Sequence, residues 1–187
     1  MTSALEVGAT AANAASVFLA ARNSVHTWWV GIVGCALFGV VFLATRLYAD
    51  ALLQGFFVVT SVLGWWQWLA GGSDGGALRV TRETWQHIVQ FALAATGVAL
   101  CYGYVLWRFT DAAAPFVDSM ILTLSVTAQL LLMRRKYESW WFWLIVDTLS
   151  VALFGARGLW VAAGLYAAFW VNAVVALVRW RRLLTAS

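Results

Sequence analysis

Along this chain, long apolar runs alternate with short polar or glycine-bearing breaks, and seven such runs can be marked out. They are Leu5–Ala21, Thr27–Thr45, Asp50–Gly71, Thr84–Trp107, Phe116–Met133, Ser139–Gly155 and Gly158–Val178. Each approaches the ~17–25 residues that a helix needs to cross a hydrocarbon layer. A segment in lipid must satisfy its own backbone hydrogen bonds, so the runs predict helices. The first is the weakest, because Thr10, Asn13 and Ser16 interrupt an Ala-rich stretch. Small residues of that kind suit close helix packing better than lipid contact. Gly71–Arg82 (GGSDGGALRVTR) is the one expected flexible linker, and Pro115, the only proline, stands where it can open the fifth helix without breaking it.

The pattern also repeats. Shifting the sequence by 112 positions lays residues 22–68 over 134–180 without a gap, and thirteen of the 47 pairs are identical. Aliphatic matches carry little weight in so apolar a chain. The pairs Arg22/Arg134, Trp28/Trp140, Trp29/Trp141 and Trp68/Trp180 carry more. A repeat of this length predicts a duplicated architecture. Three spans fall in each unit (residues 5–71 and 116–180) and one span (84–107) lies between them. Three spans reverse the chain's direction and the single span restores it, so the two three-helix repeats run parallel. The expectation is an all-α membrane protein, one transmembrane domain over residues 1–187, with seven helices in a 3+1+3 plan.

Composition agrees. The chain is 63% hydrophobic and only 11% charged, with a mean hydropathy of +0.81, against about 25% charged in soluble domains. The net charge of +4 reads as loop arginines rather than as a nucleic-acid surface, and no nucleic-acid partner is expected. Arg22, Arg79, Arg82, Arg134, Arg135, Lys136, Arg179, Arg181 and Arg182 fall on one expected side; Arg46, Arg108 and Arg157 fall on the other. That bias places the C-terminus in the cytoplasm and the N-terminus outside. Met1–Leu5 carries no Lys or Arg, so the first run is expected to be a retained helix rather than a cleaved signal. Cys35 and Cys101 stand alone in apolar runs and read as small hydrophobes.

Chemistry is expected where polar residues fall inside spans, because lipid tolerates them only when they face an interior. Asp147 is the deepest ionisable residue, with Trp143 one turn before it and Ser150 nearly one turn after, on one helix face. Asn172 lies at about the same depth on the last span. Their partners in the repeat are Cys35 and Thr60, so the second unit supplies the stronger polar groups and the expected site is asymmetric. Two further stripes could line a cavity: Asp50, Gln54, Phe57, Ser61, Gly64 and Trp68 on the third span, and Asp118, Leu122, Ser125 and Gln129 on the fifth. Asp50 and Asp118, at span ends, are expected only to meet headgroup water. Of the thirteen Trp, those near span ends (Trp28, Trp65, Trp66, Trp85, Trp107 and Trp180) read as an interfacial belt. Trp143 does not fit the belt; an aromatic face beside a carboxylate suits a flat cation. His26 and His87 lie at span ends without an acidic partner at metal-ligand spacing, so no metal, cofactor or catalytic centre is expected and an enzyme is disfavoured.

Several blocks then resemble one family. LYADALLQGFFVVTSVLGWWQWLAGG (Leu47–Gly72), FTDAAAPFVDS (Phe109–Ser119), MRRKYESWWFWLIVDTLSVALFGARGLWVAAGLYAAF (Met133–Phe169) and the opening LEVG are similar to the bacterial nicotinamide riboside transporters of the PnuC family. The resemblance covers nearly the whole chain, in the family's block order. It implies a seven-helix 3+1+3 fold like that of the SWEET sugar transporters, a homotrimer in the bacterial inner membrane, and facilitated diffusion of a vitamin that cytoplasmic phosphorylation then traps for NAD synthesis. Carried over block by block, it points to Gln67 and Trp68, to Trp140, Trp143 and Asp147, and to Tyr166 and Asn172; Gln129 joins them from the stripe above. One block departs: Ala176–Trp180 lacks the Gly-aromatic pair usual before the closing Trp, which leaves the cargo open between nicotinamide riboside, thiamine and riboflavin. The sequence also leaves open a membrane receptor that binds a ligand without moving it.

Overall fold

The structure, a computed structural model, describes residues 4–46, 48–71, 79–111 and 113–185, without the side chains of 48–50 and 185. Seven helices account for most of these residues: α1 (Ala4–Ala21), α2 (His26–Ala44), α3 (Tyr48–Ala70), α4 (Trp85–Phe109), α5 (Pro115–Met133), α6 (Ser139–Ala156) and α7 (Trp160–Thr185). Among the described residues, six are long and apolar enough to cross a membrane by length and composition. The helix ends fall close to those expected except in α7, which continues past Val178 through Arg179, Arg181 and Arg182. At 26 residues it is about 39 Å long, more than a bilayer core requires.

The chain forms two compact units, Met1–Arg79 and Val80–Ser187. In the first, α2 packs between α1 and α3. The Ala-rich α1 allows this to be close: a Cβ at Gly34 would lie 2.8 Å from the Asn13 amide and 2.9 Å from its backbone nitrogen, and one at Gly31 would lie 2.9 Å from Ser16 Oγ. The contact is locked by exchange, with Ser16 Oγ donating to the Thr27 carbonyl at 2.8 Å and Thr27 Oγ1 donating to the Ser16 carbonyl at 2.8 Å. Small-residue packing with interhelical hydrogen bonds is what holds helices together where lipid removes the hydrophobic drive.

In the second unit α5 packs on α4 and α6, and α6 also packs on α7. A shared apolar core joins Ile88 and Ala95 of α4, Leu124, Ala128 and Leu131 of α5, and Phe142 and Val146 of α6. Pro115 opens α5 at its first turn, as expected.

Positions 112 residues apart share local geometry. After α1, Asn23 takes a left-handed φ of 54°; after α5, Arg135 takes 50°. The Ser24 N–H donates back to the Leu19 carbonyl at 3.0 Å, and the Lys136 N–H to the Leu131 carbonyl at 3.0 Å. Both are Schellman-type ends. Arg46 (φ 61°) and Gly158 (φ 71°) match in the same way after α2 and α6. Deep in each unit two indoles meet edge to face: Trp28 with Trp68 at 5.2 Å and 85°, and Trp140 with Trp180 at 5.6 Å and 80°. The interfacial-belt expectation therefore fails for Trp28 and Trp180, which are 2% and 0% exposed, while Trp65, Trp66, Trp85 and Trp107 are exposed. A Trp near a span end can face its neighbours as readily as the headgroups, and hydropathy does not register which.

The linker also needs correcting at its C-terminal end. Residues 72–78 lie outside the described residues, but Thr81 pairs with Lys136 in the α5–α6 turn. Its N–H donates to the Arg135 carbonyl at 3.1 Å, and its carbonyl accepts the Tyr137 N–H at 2.9 Å. Next to it, the Glu83 N–H donates to the buried Glu138 carboxylate at 2.9 Å. Glu83 in turn binds Lys136 Nζ at 3.4 Å and His87 Nδ1 at 2.9 Å. His87 thus does have an acidic partner four residues away. It is a hydrogen bond at the start of the helix, beside the Glu83 contacts to Lys136 and Glu138 that strap α4 to the α5–α6 turn.

Candidate functional site

The site is best built from α6. Asp147 lies midway along it, 4% exposed, and makes none of the ion pairs formed among the described residues. An uncompensated buried carboxylate is expensive inside a membrane and marks a functional position. Trp143, one turn earlier, is half-buried and rests against the α4–α5–α6 core. From α7, Tyr166 comes within electrostatic range of Asp147. Its ring is fixed by stacking on Phe154 at 5.3 Å and by Phe169 edge-on at 5.7 Å. One turn beyond Tyr166, Trp170 Nε1 donates to Thr148 Oγ1 at 3.2 Å and ties α7 to α6. Asn172 is 8% exposed. The structure thus assembles Trp143, Asp147 and Tyr166 around one length of α6. It offers a carboxyl group, an aromatic face and a phenol, which is a setting for a flat cation with polar substituents.

The other expected residues stand differently. Gln129 is buried on α5 at 9% exposure and makes no hydrogen bond among the described residues. Trp140 is 2% exposed and packs its ring on Trp180 rather than presenting it; its indole N–H is buried without a partner among the described residues. Trp68 is likewise packed, against Trp28, while Gln67 beside it is half-buried in the first unit. On the third-span stripe, Ser61, Gly64 and Trp68 are buried together, and the side chain of Asp50 lies outside the described residues. Asp118 is tied to Arg157 at 3.0 Å, an exposed pair joining the start of α5 to the α6–α7 turn. An open groove on α4, lined by Ala94, Gly97, Val98, Cys101, Tyr102 and Val105, is almost wholly apolar and has the character of a lipid-facing surface.

Two features escaped sequence reasoning. One is the Glu83–Lys136–Glu138 strap, whose members are distant in sequence. The other is that Ser139 Oγ and Ser150 Oγ are buried without a hydrogen-bond partner among the described residues. Ser150 had a signal, its place on the face of Asp147.

Fold and site together define a multi-pass, all-helical membrane protein that holds a lone carboxylate within a helix. The chain belongs to the nicotinamide mononucleotide transporter family, which it matches over residues 3–182. It is 26% identical over 179 residues to the nicotinamide riboside transporter PnuC of Escherichia coli K12, covering 82% of this chain and 75% of that one. It is 29% identical over 147 residues to the riboflavin/roseoflavin transporter RibM of Streptomyces davaonensis, covering 73% and 65%. In structure it resembles the crystal structure of the vitamin B3 transporter PnuC, with a TM-score of 0.75 at 18% identity, over 97% of this chain and 82% of that one. That likeness establishes the fold.

Proposed function

We propose that this protein carries nicotinamide riboside across the bacterial inner membrane by facilitated diffusion, as an uncoupled uniporter. The observation that carries the cargo is Asp147, buried midway along α6 with Trp143 and Tyr166 about it. Nicotinamide riboside is a flat aromatic cation, so the carboxylate meets its charge and the rings meet its faces. In this reading Asn172, Gln129 and Gln67 are the candidates for the carboxamide and ribose hydroxyls, and Trp68 and Trp140 take part as members of the buried Trp pairs.

The arrangement that fits this reading is 3+1+3, with repeats at residues 5–71 and 116–180 joined by α4 and all seven helices spanning. The matched turns and Trp pairs support it. The N-terminus is outside and the C-terminus cytoplasmic, by the arginine bias. Alternating access moves the cargo, cytoplasmic phosphorylation traps it for NAD synthesis, and the assembly is a homotrimer.

The RibM relative favours one second reading, a flavin cargo. A neutral flavin has no use for a carboxylate, and thiamine, a cation, would need it. The test is binding of purified protein to nicotinamide riboside, nicotinamide mononucleotide, thiamine and riboflavin, read from Trp quenching, and then uptake into proteoliposomes. Saturable binding and flux of the riboside, lost in Asp147→Asn, are expected. Riboflavin binding indifferent to Asp147→Asn would replace the cargo. Riboside binding without flux would make the protein a receptor.

A further inference from the structure

Hydroxyls on the helices of this protein follow a habit. Ser119, Thr123, Thr127 and Thr148 each donate to the carbonyl four residues earlier, at 2.7, 3.0, 2.9 and 2.7 Å, and Thr60 does the same on α3 at 3.0 Å. In a medium without water this is the nearest way to satisfy a hydroxyl. Ser150 departs from it. It is 0% exposed, and its Oγ has no partner among the described residues. The back-bond to Val146 that its neighbours make is not made here, so the buried hydroxyl carries a cost that a hydrogen bond to a ligand, once the transport cycle opens this face, would recover.

Its position says which ligand group. Ser150 follows Asp147 by three residues, ~4.5 Å further along the axis and on the same face. The helix therefore offers a carboxyl group and, nearly one turn on, a hydroxyl that can both donate and accept. We propose that Ser150 is a specificity-determining residue that hydrogen-bonds a ribose hydroxyl of the cargo while Asp147 lies beside the cationic ring. The inference rests on the riboside reading and deepens it. In a nicotinamide riboside the positively charged ring nitrogen is the atom that bears the sugar, so the sugar hydroxyls lie within about a helical turn of the charge. A cation without ribose satisfies Asp147 and leaves Ser150 unpaired. A site built to hydrogen-bond a hydroxyl discriminates against the analogue that lacks it.

The experiment compares wild type and Ser150→Ala, both as purified full chains, for binding of nicotinamide riboside and, by competition, of N-methylnicotinamide, a cation without the sugar. Melting of the unliganded proteins is followed alongside. Ser150→Ala is expected to weaken riboside binding about tenfold, the scale of one lost hydrogen bond, to leave N-methylnicotinamide unchanged, and to melt no lower than wild type, because it removes an unpaired buried hydroxyl. A deoxyriboside lacking the contacted hydroxyl should bind the two proteins equally. Undiminished riboside binding in Ser150→Ala would overturn the role, and so would equal losses for both cations, which would mark general damage. Wild type that binds no riboside would overturn the cargo itself, before any variant is compared, and this inference with it.

Discussion

Where α1 meets α2, Ser16 and Thr27 exchange hydrogen bonds and leave nothing over. At the matching place in the second unit stand Ala128 and Ser139; the alanine has no hydroxyl to offer, and Ser139 Oγ is buried without a partner among the described residues. The same contrast recurs deeper. Cys35 donates its thiol to Asn13 Oδ1 at 3.7 Å, whereas its counterpart Asp147 is buried with no ion pair among the described residues. Thr60 satisfies itself on Phe56; its counterpart is Asn172, a buried amide on α7. The two units thus share turns and Trp pairs, down to an unpartnered indole N–H on Trp28 and on Trp140 among the described residues, and differ at the pairs Thr27/Ser139 and Cys35/Asp147. An unanswered buried polar group costs about 1–3 kcal/mol. Ser139, Asp147 and Ser150 all lie buried on α6, which is why the proposed reading puts the charge-recognising part of the site in the second unit.

The shared skeleton is the strongest part of this comparison and the easiest to break. Trp28→Ala and Trp140→Ala each remove an indole that is 2% exposed and packed edge to face. Each should destabilise its unit by about 3–5 kcal/mol, measured as denaturant unfolding of the purified chain in detergent. Similar losses would mean that the two pairs do the same work. A large loss in one and none in the other would end the claim that the units are built alike.

The polar difference is tested by the pair Asp147→Ala and Cys35→Ala. Removing Asp147 should weaken riboside binding about a hundredfold, or about 2.7 kcal/mol, with little loss of stability, since it removes a buried unpaired charge. Cys35→Ala should leave binding within about threefold, because its thiol is already engaged within the first unit. Equal effects on binding would show that recognition is shared by both halves.

Much of the architecture was legible because lipid leaves few choices. An apolar run of sufficient length must be a helix, and all seven were found. The errors are where one physical signal stops and another takes over. Hydropathy ends α7 at Val178 because arginines follow, yet the backbone bonds continue to Thr185. Trp28 and Trp180 read as belt residues by position, although both belong to the pairs that the 112-residue shift had matched. Asp147 was visible as a lone charge in a span. Ser150 shared its face, but whether a serine bonds back to its own helix is decided by its rotamer, which the sequence does not carry. The strap rests on tertiary contacts across more than 50 residues, and Glu138 beside a Trp-Trp pair gave no hint of its partner.

A smaller test uses the left-handed turn residues. Gly158 takes φ 71° with nothing within 4 Å of a prospective Cβ, so Gly158→Ala should cost about 1 kcal/mol through backbone strain alone. Arg46 holds the matching conformation at φ 61° without being glycine, and Arg46→Gly should be neutral to stabilising on the same scale. Thermal melting of the two variants checks both signs. A stabilised Gly158→Ala would mean that the turns are not equivalent.

The smallest expected effect separates the two matching turns themselves. Only the α5–α6 turn carries the strap. The His87 hydrogen bond, with help from the Thr84 N–H and Lys136, holds the Glu83 carboxyl below its ordinary range despite some opposing desolvation. A carboxyl depressed in the folded state contributes stability at pH above its unfolded value, and that contribution disappears as pH falls through the folded one. Melting of wild type should therefore drop across the acid range below the ordinary carboxylate value. Glu83→Gln should flatten part of that drop while lowering stability near neutral pH by about 0.2–1 kcal/mol, the range for a screened ion pair. If the strap also keeps α4 registered on the α5–α6 turn, the amides at the start of α4 should exchange faster in the variant near neutral pH, with those of α1 and α2 unchanged. Faster exchange in α1 and α2 as well would show that Glu83 supports the whole chain rather than the one turn that distinguishes the second unit.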